Sequence, residues 1–167
     1  MNEQFSRKDR PVFRPRPEGC VGRDPRLAAE LNEVLCYCIY TVAANTYRAM
    51  VCGKADSAIG EMLEMIAADG IGHFHVLGDL ILALGGQPGV RANVFVEPIT
   101  LPTEENGTAR KYALRKALRS SREENRRATD LLQSLMGRTE DRVVRSILSG
   151  LLHDVGLHRE MLERALG

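Results

Sequence analysis

Two histidines, each preceded four positions earlier by an aspartate, carry the first chemical signal in this chain. Asp69 and His73 lie in ADGIGHF, and Asp154 and His158 lie in HDVGLH. The two aspartates are 85 positions apart, and so are the two histidines. An imidazole inside an apolar segment can ligate a metal, move a proton, or rest in a core with its N–H bonded to a carboxylate. Earlier in the chain, Glu33, Cys36 and Tyr40 occur within two helical turns. If these groups converged at mid-bundle, a carboxylate, a thiol, a phenol and two imidazoles could hold one transition metal, with zinc favoured if Cys36 took part. The simpler reading of the same residues is a buried polar network in which each histidine is satisfied by an aspartate.

The doubling implies two copies of a helical hairpin, because one helix pair cannot cover its own apolar face. Asp24-Pro25 supplies an N-cap followed by proline at the first helical position, predicting a helix over about 25–51. Asp56-Ser57 caps a second over about 57–85, with Ile59, Met62, Ile66, Gly70, His73, Leu77, Ile81 and Leu84 inward and Gly85-Gly86 at its end. A third helix is expected over about 108–136, stopped by Gly137, and a fourth over about 140–166 after Thr139-Glu140-Asp141. From Gln87 to about Gly107 the helical period disappears. That length crosses a bundle, so helices 2 and 3 should run parallel.

The first helix is apolar on two sides. Leu31, Leu35, Cys38, Val42 and Ala49 mark one, and Glu33, Cys36, Tyr37, Tyr40, Ala44 and Tyr47 the other. The second apolar face predicts a homodimer or larger homo-oligomer. Residues 1–23 form a basic, Pro/Arg-rich stretch suited to an extended arm, and 24–167 form one domain. The net charge is +1, which favours neither nucleic acid nor membrane. The basic residues of helix 3, Arg115 to Arg127, alternate with Glu123 and Glu124 as a solvated, salt-bridged face. No apolar run is expected to reach membrane-spanning length. The four cysteines lack paired CxxC spacing and read as free thiols, consistent with a cytoplasmic protein.

With Asn32-Glu33 and Tyr40 in helix 1, IAADGIGHFHVLGDLILALGG in helix 2, the long crossover, and LLHDVGLHREML in helix 4, the chain resembles the ferritin-like superfamily. The likeness is to its bacterial ferritin-like and manganese-catalase-like members, related to rubrerythrin and bacterioferritin. It implies an all-α four-helix bundle with one long crossover. It also implies a site in which helices 1 and 3 each give a glutamate and helices 2 and 4 each give ExxH, together holding two iron or manganese ions. On this sequence Glu33, His73 and His158 match ligand positions. The ExxH glutamates fall on Gly70 and Val155, and the helix 3 position falls on Ser121 or Asn125. The aspartates before the lost glutamates remain, and the resemblance implies that Asp69 pairs with His158 and Asp154 with His73.

Two functions are therefore expected in competition. The first is a degenerate, non-catalytic structural or assembly subunit with no cofactor. The second is an oxidase or peroxide-consuming enzyme with a reduced, mononuclear Fe, Mn or Zn site on Glu33, His73 and His158. Glu124 or Glu64 turned inward beside Glu33 would favour the enzyme. A cavity at Gly70 and Val155 could also admit a small organic ligand, although nothing in the sequence itself points to one.

Overall fold

In a computed structural model, residues 22–91, 95–103 and 106–167 are described. Most of the N-terminal arm, with Cys20, lies outside them. The described chain folds into α1 (Pro25–Cys52), α2 (Ser57–Ala83), α3 (Gly107–Arg138) and α4 (Arg142–Leu166). Each helix begins at a side chain that accepts a backbone N–H from its own first turn. Asp24 accepts from Leu27, Asp56 from Ile59, Asn106 from Ala109, and Asp141 from both Val143 and Val144. The α4 cap is therefore Asp141. Gly137 does not stop α3, which runs one residue further before Thr139 turns to extended backbone. At the end of α2, Gly85 takes φ +80°, a conformation suited to glycine, and the Gly86 N–H bonds back to the Ile81 carbonyl.

Pairings across the bundle fix the helix directions. Glu30 reaches Arg138, Tyr37 and Arg48 reach Glu124, and the Lys54 carbonyl accepts from Arg110, so α1 and α3 are antiparallel. His73 reaches Asp154 and His158 reaches Asp69, so α2 and α4 are antiparallel too. Because a short turn reverses α1 into α2, α2 and α3 run parallel, as the long crossover demands.

The core divides into two apolar clusters. One contains Leu31, Leu35, Leu77, Leu80, Leu148 and Leu151; the other contains Cys52, Leu63, Leu118 and Leu162. A polar layer lies between them. Glycines let α1 and α2 approach closely: a Cβ on Gly60 would fall 2.6 Å from the Gly53 Cα, and one on Gly70 would fall 2.7 Å from Val42 Cγ2. Contrary to the expectation from sequence, α1 and α2 each contain an 18-residue window of mean hydropathy 1.3, long and apolar enough to span a membrane by composition alone. Two helices packed against each other in a bundle core meet the same criterion.

Candidate functional site

The polar layer surrounds a cavity of about 60 Å³ at the middle of the bundle. Gly70 and His73 reach it from α2, Val155 and His158 from α4, Cys38 from α1, and Ser121, Glu124 and Asn125 from α3. His158 is 3% exposed, and its ring centroid is 6.0 Å from that of His73. His73 Nε2 lies 3.1 Å from Asp154 Oδ2, and His158 Nε2 lies 2.9 Å from Asp69 Oδ2. An ionised carboxylate only accepts, so both Nε2 atoms carry the proton and donate. Each aspartate thus holds the histidine of the opposite helix, in the crossed arrangement read from the resemblance.

On the α1–α3 side, a second cluster is built around Glu124. Arg48 donates to both its carboxylate oxygens, Nη1 to Oε2 and Nη2 to Oε1, each at 2.6 Å. Tyr40 Oη donates to Oε1 at 3.2 Å, and Tyr37 Oη donates to the Glu124 backbone carbonyl at 2.9 Å. Arg48 also donates to Ser121 Oγ at 3.1 Å, and that hydroxyl donates to Asn45 Oδ1 at 2.7 Å. Burial opposes the guanidinium charge, but the hydrogen bonds and negative charge of Glu124 outweigh it and hold the Arg48 pKa above its ordinary value. Burial, reinforced by the Glu124 charge, raises the Tyr37 and Tyr40 pKa values. Burial alone pushes the Cys38 thiol up to about 12, and its Sγ donates to the Gly70 carbonyl at 3.1 Å.

Glu33 is not among the groups that meet here. It is exposed, and with Cys36 and Tyr40 it lines an open groove on the outside of α1 beside Gly89 and Arg91. Leu31, Val34, Leu35 and Cys38 set the inward face, which leaves Glu33 roughly 100° round the helix from Val34. Cys36 faces the crossover: it donates to the Gly89 carbonyl and accepts from the Arg91 N–H, both at 3.4 Å. The cysteine that faces the cavity is Cys38. Glu124, expected on a solvated face, is 8% exposed.

Arg48 and Asn45 received no role from the sequence. The available signal was that Arg48 is the one charged residue between Glu33 and Lys54 in an otherwise apolar helix. Such a charge is retained inside only with a partner. Nothing local names that partner, 76 positions away.

A ferritin-like domain family model matches residues 28–167. The chain belongs to the ferritin-like domain family. No curated protein sequence matches it. Within this ferritin-like bundle the cavity lies among the positions at which ExxH was expected. Glu124 is the one carboxylate among the residues lining it, and no three His, Cys, Asp or Glu side chains come together among the described residues as a metal site would need.

Proposed function

We propose that this ferritin-like protein is a non-catalytic structural or assembly subunit, in which a buried polar layer takes the place of a dinuclear metal centre. The supporting observation is the state of Glu124. Both its oxygens are engaged by the Arg48 guanidinium, so the one carboxylate at the cavity is committed to a cation the protein itself supplies. The remaining donors do not fit two divalent ions, which need several anionic oxygens to offset their desolvation. A carboxylate at position 70 is sterically opposed as well, since even a Cβ there meets Val42. Val155 has no donor atom.

Assembly as a homodimer or larger homo-oligomer is part of this reading. It is supported by α1 and α2, whose most apolar windows are only 39% buried and which expose Met50, Ile71 and Leu82. A cytoplasmic location, with no membrane or nucleic-acid partner, accords with the free thiols of Cys36, Cys38 and Cys52 and the near-neutral charge.

One observation favours the alternative of a mononuclear Fe, Mn or Zn site. His73 and His158 are neighbours, each with its outer nitrogen fixed by a carboxylate, as metal-ligating histidines are. Metal content per chain, measured by mass spectrometry on untagged protein purified without chelator, separates the two. The expected result is far less than one metal per chain, with sedimentation showing a dimer or larger species. Near-stoichiometric metal that disappears in a His73→Ala, His158→Ala variant would overturn the structural reading.

A further inference from the structure

Among the described residues, one side-chain polar atom at the cavity is fully buried without a hydrogen-bond partner. Asn125 is 9% exposed and lines the cavity, and its Oδ1 has no hydrogen-bond partner among the described residues. A buried amide oxygen in that state costs free energy comparable to a lost hydrogen bond. Other polar groups close to it are already committed: Ser121 to Asn45, Glu124 to Arg48, and Cys38 to the Gly70 carbonyl.

We propose that the cavity is a binding site for a small neutral molecule bearing one hydrogen-bond donor, whose O–H or N–H donates to Asn125 Oδ1 and whose apolar part rests on Val155, Leu132 and Leu151. Three features set that class. The volume of about 60 Å³ corresponds to roughly four to six water-sized groups, which limits the ligand to a few heavy atoms. The apolar walls favour a short alkyl portion. Charge is disfavoured because the ionisable groups at the cavity are already paired: Glu124 with Arg48, His73 with Asp154, and His158 with Asp69. An entering ion would therefore be desolvated among groups already engaged with one another, at greater cost than a neutral donor. This site goes beyond the assembly role proposed above and does not depend on it.

2-Propanol and acetone form a matched pair of probes, with the same heavy-atom skeleton and only the alcohol able to donate. Titration of each into the full-length chain is followed by nuclear magnetic resonance at the Asn125 side-chain amide and the Val155 and Leu132 methyls. The expected result is saturable shifts at all three, with 2-propanol binding roughly three- to tenfold tighter than acetone, the worth of one hydrogen bond. In Asn125→Leu, which keeps the approximate shape and removes the acceptor, that preference falls to about twofold or less. Non-saturating or surface-only shifts would overturn the site. Acetone binding as tightly as 2-propanol would overturn the donor class. A preference that survives in Asn125→Leu would overturn the role of Asn125. The wild-type comparison decides the first two points even if the variant does not fold.

Discussion

Between α2 and α4 the polar layer is held by two imidazole–carboxylate pairs related by the internal repeat, whereas between α1 and α3 it is held by one guanidinium–carboxylate fork without a counterpart. The two sides differ in wetness as well as chemistry. Side-chain exposure is 28% at Asp69 and 24% at Asp154, against 6% at Arg48 and 11% at Glu124. Water can therefore solvate either aspartate more readily if its histidine is lost than it can Glu124 if Arg48 is lost. A buried ion pair is weak evidence of net stabilisation, because desolvating both charges offsets most of their attraction. Its loss on one side only is nevertheless severe. The fork should therefore be the less forgiving half of the layer, and the crossed pairs the more tolerant one.

The largest expected effect tests that asymmetry. Arg48→Met leaves Glu124 largely buried without its counter-charge, held by the Tyr40 hydroxyl alone, and should destabilise the fold by about 3–5 kcal/mol in urea denaturation. The double change Arg48→Met, Glu124→Leu should recover most of the loss, since an apolar pair of similar volume often matches a buried ion pair. A single change costing under about 1 kcal/mol would remove the distinction between the halves.

Next in size are the histidines. His158→Ala should cost about 2–3 kcal/mol and His73→Ala about 1–2 kcal/mol, because His158 is the more buried and each loses a hydrogen bond to a charged group. Double-mutant cycles sharpen the comparison by testing which aspartate serves which histidine. A coupling of about 1 kcal/mol is expected for His73 with Asp154, and under about 0.5 kcal/mol for His73 with Asp69, its neighbour one turn away on the same helix. The reverse order would mean that the pairs are not crossed.

The same two halves differ in how readable they were. Asp69, His73, Asp154 and His158 announced themselves through a repeat, since two hairpins carrying the same spacing place equivalent residues on facing helices. The four helices were equally legible, because aspartate caps, a proline at the first helical position and the apolar period are local signals. Arg48 and Glu124 carried no such signal: their pairing joins residues far apart in the chain, and Glu124 sits in a charged run in which Glu123 and Arg126 do face solvent and pair with each other. Glu33 was misplaced for a related reason. α1 is apolar on two faces, so periodicity alone could not say which of its side chains reach the cavity, and the resemblance favoured Glu33, which is exposed. The orientation of Asn125 toward a cavity depends on the packing of all four helices and could not be read from any one of them.

Glycines on α2 provide a smaller test, one that bears on the seam joining the halves. Gly70 is packed against Val42 of α1, whereas a Cβ on Gly78 would meet nothing within 4 Å. Helix propensity favours alanine by about 1 kcal/mol at both positions. At Gly70 the stiff, β-branched Val42 must also give way, an overpacking cost of about 1–3 kcal/mol. Gly78→Ala should therefore stabilise by about 1 kcal/mol and Gly70→Ala destabilise by about 1 kcal/mol, with Val42→Ala reversing the sign at Gly70. Thermal denaturation of the three variants reads this directly. Equal effects at the two glycines would mean that α1 and α2 do not meet closely at the polar layer.

A last effect is absent at neutral pH and emerges only in alkali; it concerns Cys38, which links α1 to the α2 backbone across that seam. Burial favours the neutral thiol and raises its pKa from an ordinary value near 9 to about 12. A raised acid pKa means that the unfolded chain releases its proton first as pH increases. The stabilisation from the neutral thiol is therefore complete below about pH 9 and is lost progressively between 9 and 12, by about 1.4 kcal/mol per pH unit. Cys52, Tyr37 and Tyr40 are shifted in the same direction by burial, so the whole layer should weaken in alkali. Comparing wild type with Cys38→Ala isolates the Cys38 share: their difference in unfolding free energy should be constant from pH 7 to 8.5 and narrow by about 1.4 kcal/mol by pH 10. A difference that stays flat to pH 10 would mean that water reaches the thiol, and with it the seam where the two halves of the layer meet.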